Sequence, residues 1–291
     1  MSMSAQRVPF DDVTLECEVM GPRNGPLALC LHGFPDTIHT FRYLAPHLVD
    51  KGYRVVTPSM RGYAPSTLSN SNTYSVSALA LDAIQLHEFF DGDEEALLIG
   101  HDWGAAATYL ATTAEPSRWR HAITIGFPPF MTFMTALTHY QQLAASWYMT
   151  YFQNQGAEIT VAKDDFDFIA QLWVTWSPSY DATNDVAFVK DSLRAPEHLS
   201  AALHYYRALN LPPPNDERLA SIKATLGNAP EVPTLYLHGQ DDGCILSSFV
   251  LDALDYLALG SRYEVIGGAG HFLHLEQPDL VHTMIDEFIG L

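Results

Sequence analysis

Cysteine is scarce in this chain of 291 residues: Cys17, Cys30 and Cys244 are the full set. An odd count, wide spacing and no C-x-x-C argue against a disulfide framework or a cysteine-built zinc site. Reduced thiols and a cytoplasmic location are therefore expected. Basic residues are also few, with 15 Lys and Arg against 34 Asp and Glu, a formal net charge of −19. A surface of that sign repels phosphate backbones and anionic lipid, so neither nucleic acid nor membrane is expected as a partner. No apolar run approaches the ~18 residues needed to cross a bilayer. The opening residues, MSMSAQRVPFDDV, lack the basic-then-apolar pattern of a secretory signal. There is no internal repeat.

What is present is an alternation. Short apolar runs at 13–19, 26–33, 53–60, 96–101, 121–128, 233–239 and 262–268 read as strands. Helical stretches such as 75–91 separate most of them. Several runs are apolar nearly throughout, which suits a parallel sheet covered on both faces. The expected fold is α/β, mostly parallel and doubly wound. The rhythm breaks after IGFPPF (125–130) and resumes at Pro233. The stretch between is aromatic and helical in pattern, and LPPPNDER (211–218) and GNAPEVP (227–233) punctuate its end. Residues 130–228 are thus expected to form a helical cap, inserted into a discontinuous core made of 1–129 and 229–291.

Three motifs sit at the carboxyl ends of expected strands, where open α/β sheets place their sites. The first is GHDWG (100–104), the shape of a nucleophile elbow with Asp102 at its centre. A carboxylate at the start of a helix is favoured by the helix dipole and free N–H groups. It is an oxygen nucleophile that needs no base to deprotonate it, suited to attack on saturated carbon. No serine occupies an elbow, so a serine esterase is excluded. The second motif is GGAGHFLHLEQP (267–278). Its glycine-rich turn can deliver His271 to the strand ends, where His274 would sit in the helix body. A near-neutral imidazole there can take a proton from water. No third ligand is spaced to join His271 and His274 in a metal site. The third is HGQDDGC (238–244), offering Asp241 or Asp242 as the carboxylate that orients the histidine.

Together with HGFPD (32–36) and RGYAPS (61–66), these motifs resemble the epoxide hydrolase branch of the α/β-hydrolase fold over nearly the whole chain. The resemblance implies an enzyme that needs no cofactor or metal and converts a small-molecule epoxide to a vicinal diol, as a monomer or homodimer. The family's G-x-x-D spacing, counted from Gly239, falls on Asp242. The resemblance also implies two epoxide-binding cap tyrosines. SWYMTYFQ (146–153) places one at Tyr148, and LHYYRAL (203–209) places the other at Tyr206, with Tyr151 and Tyr205 as the alternative registers. A phenol can stabilise and then protonate the alkoxide of an opening ring. The oxyanion hole maps to the backbone N–H groups of Phe34 and Trp103, and a cis bond to Phe34–Pro35. His32 and His101 are expected to be structural.

Two other readings remain. A dehalogenase would use the same Asp, His and acid, but it needs N–H donors for halide. Phe34 stands where haloalkane dehalogenases usually carry asparagine, and Trp103 where fluoroacetate dehalogenases usually carry arginine. The other is a ligand-sensing protein that keeps the fold with little turnover.

Overall fold

The computed structural model describes residues 3–211 and 216–291, so residues 212–215 of the proline-rich stretch lie outside the described residues. Its strands are β1 (Met3–Pro9), β2 (Thr14–Met20), β3 (Leu27–Leu31), β4 (Arg54–Pro58), β5 (Ala96–His101), β6 (Trp119–Ile125), β7 (Thr234–Gly239) and β8 (Arg262–Ile266). Among the described residues they form one eight-stranded sheet in the order β1-β2-β4-β3-β5-β6-β7-β8. The β1–β2 and β2–β4 pairs are antiparallel. Every pair from β4–β3 to β7–β8 is parallel. The fold is the expected α/β arrangement.

β1 is an addition to the expected strands. Its sequence, MSAQRVP, is mostly polar and mostly exposed, as an edge strand can be, so its pattern gives little sign of a strand. Pairing along the whole of β2 makes it one.

The central strands are buried on both faces because helices cover both. Ala28, Cys30, Leu97 and Ile99 point into a cluster with α1 (Leu44–Asp50) and α12 (Pro278–Ile289). Leu29, Leu31 and Leu98 point the other way, toward α2 (Val76–Phe89) and α3 (Trp103–Ala114). α12 shows how sequence makes such a face. Proline opens it, Val281, Ile285 and Ile289 repeat every fourth residue into the core, and Gly290 closes it at φ 81°. Truncating a buried strand residue such as Ile99 to alanine would cost about 2–5 kcal/mol.

Between β6 and β7 lie α4 (Phe130–Ala136), α5 (Tyr140–Ala145), α6 (Trp147–Tyr151), α7 (Ala157–Trp176), α8 (Thr183–Leu193), α9 (Pro196–Arg207) and α10 (Glu217–Ala224). α7 is broken by a left-handed turn at Asp164, Asp165 and Phe166. Phe152, Ile169, Trp173, Leu203, Tyr205 and Tyr206 from this insertion join the same apolar cluster as the α2–α3 face of the sheet. After β8 comes the short α11 (Leu273–Glu276), ahead of α12.

The RGYAPS motif fastens the insertion to the sheet. Arg61 donates Nε and Nη2 to the two oxygens of Asp82, both at 2.6 Å and buried. Its carbonyl accepts the Tyr205 hydroxyl at 2.7 Å. Removing Arg61 would leave Asp82 unpaired, a loss of about 3–5 kcal/mol.

Candidate active site

Asp102 stands between β5 and α3 at φ 52°, ψ −116°, a conformation that side-chain-bearing residues rarely adopt. The surrounding structure must hold it, and two glycines allow the approach. A Cβ on Gly104 would lie 2.0 Å from the Leu31 carbonyl oxygen, and one on Gly33 would lie 2.4 Å from Asp102 Oδ1. With no Cβ at Gly33, the loop after β3 brings the Phe34 N–H onto Asp102 Oδ1 at 2.7 Å. The same Cβ would meet the Trp103 backbone nitrogen at 2.7 Å, so that nitrogen lies on the same side of the carboxylate. The Phe34–Pro35 bond is cis, and so is Ala64–Pro65, which the sequence did not point to.

Asp102 Oδ2 faces His271 Nε2 at 3.6 Å. On its other side His271 Nδ1 meets Asp242 Oδ2 at 2.9 Å. Asp242 Oδ1 accepts the backbone N–H groups of Cys244 (2.7 Å) and Ile245 (2.9 Å), which hold the carboxylate in place. Asp241 is exposed, and Asp242 is the one of the two that reaches the histidine. His271 is held by its own N–H donating to the Trp176 carbonyl at 2.9 Å, and the Trp176 ring lies edge-on to the imidazole at 5.2 Å. This anchor comes from α7 and is a backbone oxygen, so no side-chain pattern announces it.

Burial opposes charge on His271, but the bonded Asp242 carboxylate and the facing Asp102 carboxylate outweigh it and push the imidazole up to about 10. Two carboxylates flanking the ring thus raise its affinity for a proton above that of the near-neutral base that was expected.

Tyr148 and Tyr206 come from α6 and α9 and are buried. Their rings meet edge-on at 5.6 Å. Tyr206 also lies edge-on to Phe34 (5.3 Å) and Trp103 (5.2 Å), the residues on either side of the Asp102 carboxylate. Burial holds both phenols well above their usual range, so each keeps its proton. The Tyr206 hydroxyl has no partner among the described residues, whereas the Tyr148 hydroxyl lies 3.2 Å from Cys244 Sγ. The alternative registers are occupied elsewhere: Tyr205 donates to the Arg61 carbonyl and Tyr151 to Thr160 Oγ1 at the surface.

The structure therefore brings together Asp102, His271, Asp242, Tyr148, Tyr206, Phe34 and Trp103. His32 has backbone partners at both ring nitrogens, 3.0 Å each. His101 and His274 form one buried group with Asp36, and His271 forms another with Asp102 and Cys244, so further metal-type side chains lie near both histidines of the motif. Cys244 also lies in the site, although the scarcity and spacing of the cysteines pointed only to reduced thiols without a disulfide or zinc framework. Its place two residues after Asp242 in HGQDDGC was the available signal.

Among the described residues no helix is long and apolar enough to cross a membrane. Cys17, Cys30 and Cys244 are all free and buried.

The family model described as the alpha/beta hydrolase fold matches residues 26–278. The chain is 30% identical over 278 residues to epoxide hydrolase 3 of Xenopus tropicalis, covering 92% of this chain and 72% of that one. It is 29% identical over 295 residues to the AB hydrolase superfamily protein YfhM of Bacillus subtilis, covering 99% and 98%. The solved structure of Bacillus megaterium epoxide hydrolase superposes with a TM-score of 0.82 at 24% identity, covering 98% of this chain and 100% of that one. The mostly parallel eight-stranded sheet agrees with these likenesses, and the chain belongs to the α/β-hydrolase fold family and, within it, to the epoxide hydrolases.

Proposed function

We propose that this protein is a hydrolase acting on ether bonds, an epoxide hydrolase that works through an ester on Asp102. The observation that carries this reading is the setting of that carboxylate. One oxygen is held by a backbone N–H, the other faces a histidine, and two buried phenols stand beside it.

The epoxide binds between the helical cap (130–228) and the core (1–129 and 229–291), its oxygen toward Tyr148 and Tyr206. Asp102 Oδ2 attacks one ring carbon, and the carbon–oxygen bond on that carbon breaks. The phenols donate to the developing alkoxide, and one gives it a proton. Asp102 Oδ1, already bonded to the Phe34 N–H, becomes the ester carbonyl oxygen. Esterification removes one of the two negative charges that hold the proton on His271, so the imidazole becomes a usable base at this point. The proton it releases can restore the tyrosine. His271, oriented by Asp242, then takes a proton from water. The hydroxide attacks the Asp102 carboxyl carbon, with Phe34 and Trp103 N–H groups receiving the oxyanion. Collapse frees the diol and regenerates the carboxylate.

Three free buried cysteines support a reducing, cytoplasmic setting. The aromatic lining supports an apolar or aryl epoxide as substrate, handled by a monomer or homodimer. One cap indole is unavailable for halide, since Trp173 Nε1 donates to the Pro35 carbonyl at 2.9 Å.

The test is the intact mass of the His271→Gln variant mixed with a panel of epoxides and haloalkanes. A gain equal to a whole epoxide, mapped to Asp102, is expected. A gain equal to a haloalkane less hydrogen halide, with none from any epoxide, would replace this reading with a dehalogenase. No gain from either would favour the ligand-sensing reading.

A further inference from the structure

Cys244 has no part in the steps above, yet it lies at their centre. One ligand atom each from Asp102, Cys244 and His271 lies within 4.8 Å of the other two, and all three residues are buried. The second imidazole nitrogen, Nε2, faces Asp102 Oδ2 at 3.6 Å and has no hydrogen-bond partner among the described residues, although His271 is fully buried. The thiol is not alone in this space: a second ligating atom, unpartnered, is aimed into it.

We propose that these three side chains form a binding site for a thiophilic divalent cation, Zn2+ in the first instance, which inhibits the enzyme by occupying its nucleophile and base. The donor set is one thiolate, one imidazole and one carboxylate. Zinc bonds to these at about 2.3, 2.0–2.1 and 2.0–2.2 Å, usually in tetrahedral geometry. Ligand atoms in such a centre lie roughly 3–4 Å apart, so a spacing of up to 4.8 Å needs to close by about 1–2 Å at most.

The orienting contacts that such a centre needs are already in place. His271 Nδ1 bonds Asp242 at 2.9 Å, the carboxylate–histidine pairing that turns the other ring nitrogen toward a metal. The Phe34 N–H holds Asp102 Oδ1 at 2.7 Å and leaves Oδ2 for the ion. The backbone N–H of Cys244 is bonded to Asp242 Oδ1, so the thiol, the histidine and their orienting carboxylate are one connected unit. The Tyr148 hydroxyl lies 3.2 Å from Cys244 Sγ, and a water would complete the set. On binding, the thiol gives up its proton and the metal takes the place of any proton on Nε2. The soft sulfur selects against Mg2+ and Ca2+, which prefer oxygen donors.

The experiment uses the purified full chain and needs no epoxide for its main readout. Zn2+ binding is followed by calorimetry. Co2+ is used as the spectroscopic probe, because a thiolate-to-cobalt charge-transfer band reports cysteine ligation. Among the described residues neither Cys17 nor Cys30 joins a group of this kind. The expected result is one Zn2+ per chain and a cobalt charge-transfer band. Turnover should be lost on adding Zn2+, kept with Mg2+, and restored by a chelator. Cys244→Val and Cys244→Ser, each checked for folding by thermal melting, should lack the band. Both should bind Zn2+ more than about 100-fold more weakly, beyond the range for losing a mere outer-shell partner. His282→Ala, at the His47–Asp286 cluster near the surface, should bind as the parent does. Absence of the cobalt band, or equal Zn2+ affinity in both folded Cys244 variants, overturns the proposal. Because binding is read directly, its failure would leave the hydrolase reading standing, and the reverse also holds.

Discussion

Two histidine–carboxylate clusters lie side by side beneath the helical insertion, and they behave in opposite ways. His271 and His101 have ring centroids 4.8 Å apart, and His101 and His274 4.6 Å. All three are almost fully buried, as are Asp242 and Asp36. Yet His271 is pushed up to about 10, while burial drives His274 down to about 3 and His101 well below its usual range. Equal burial cannot explain the difference. The distance to a carboxylate can. Asp242 bonds His271 at 2.9 Å, whereas Asp36 Oδ2 stays 3.7 Å from His101 Nδ1 and both atoms lack partners. Unpaired in this way, Asp36 is itself raised by burial to about 7. The nearer pair is therefore the one suited to hold a proton near neutral pH, and the two histidines of the farther group are neutral scaffolding. That scaffold still touches the site, since His101 Nε2 donates to the His271 carbonyl at 3.1 Å.

The contrast is most severely tested at Asp102 and His271. Asp102→Ala should lower diol formation by at least about 10⁴-fold, the scale seen when a member of such a catalytic unit is removed. Residual turnover within tenfold of the parent would remove Asp102 from the reaction. His271→Gln should cost a similar share of steady-state turnover but leave ester formation intact, visible as a burst of about one epoxide consumed per chain. A variant without burst or adduct would place His271 outside the second step.

Smaller effects are expected among the tyrosines. Tyr206→Phe should lower kcat by about 10²-fold, as for loss of one oxyanion donor. Tyr148→Phe should cost less, because its hydroxyl is shared with Cys244 Sγ. Tyr205→Phe should spare kcat and lower stability by about 1 kcal/mol through its lost bond to the Arg61 carbonyl. Equal losses at Tyr205 and Tyr206 would contradict the assignment of that helix face.

The pH profile sharpens the electrostatic side. His271 must be unprotonated to activate water, so kcat should fall as pH drops through its value in the ester. That value should lie below the 10 or so of the free site, because esterified Asp102 no longer carries charge. A kcat without an acid limb would exclude a histidine base.

The smallest effect belongs to the farther cluster. Asp36 is raised from 3.8 to about 7 on folding, so the folded protein keeps a proton there that the unfolded chain releases. Its contribution to stability is then lost as pH rises from about 4 to about 7. Asp36→Asn would replace that charge with an amide able to donate to His101 Nδ1. Melting at pH 8 should rise by about 2–4 °C per kcal/mol gained, with little change at pH 5. A lower melting point at pH 8 would mean that the charge on Asp36 is compensated after all.

Much of this protein was legible from its residues. Continuous apolar runs such as ALLIGH mark strands buried on both faces, because a parallel sheet between two helical layers leaves no polar side. GHDWG marks the elbow, because so sharp a turn needs glycine for close approach and the helix start needs a group that suits N–H donors. Those are local constraints, written in neighbouring residues. β1 was not legible, since a polar edge strand is defined by the partner it pairs with. The choice of Asp242 over Asp241 depends on which carboxylate turns inward after β7, and the sequence alone ranked the two only through a family spacing. The raised proton affinity of His271, the free hydroxyl of Tyr206, the split between two histidine clusters and the position of Cys244 were decided by tertiary structure alone. Each depends on distances between side chains that meet only when separate strand ends converge, and electrostatic and hydrogen-bond energies turn on differences of less than an ångström that no one-dimensional spacing records.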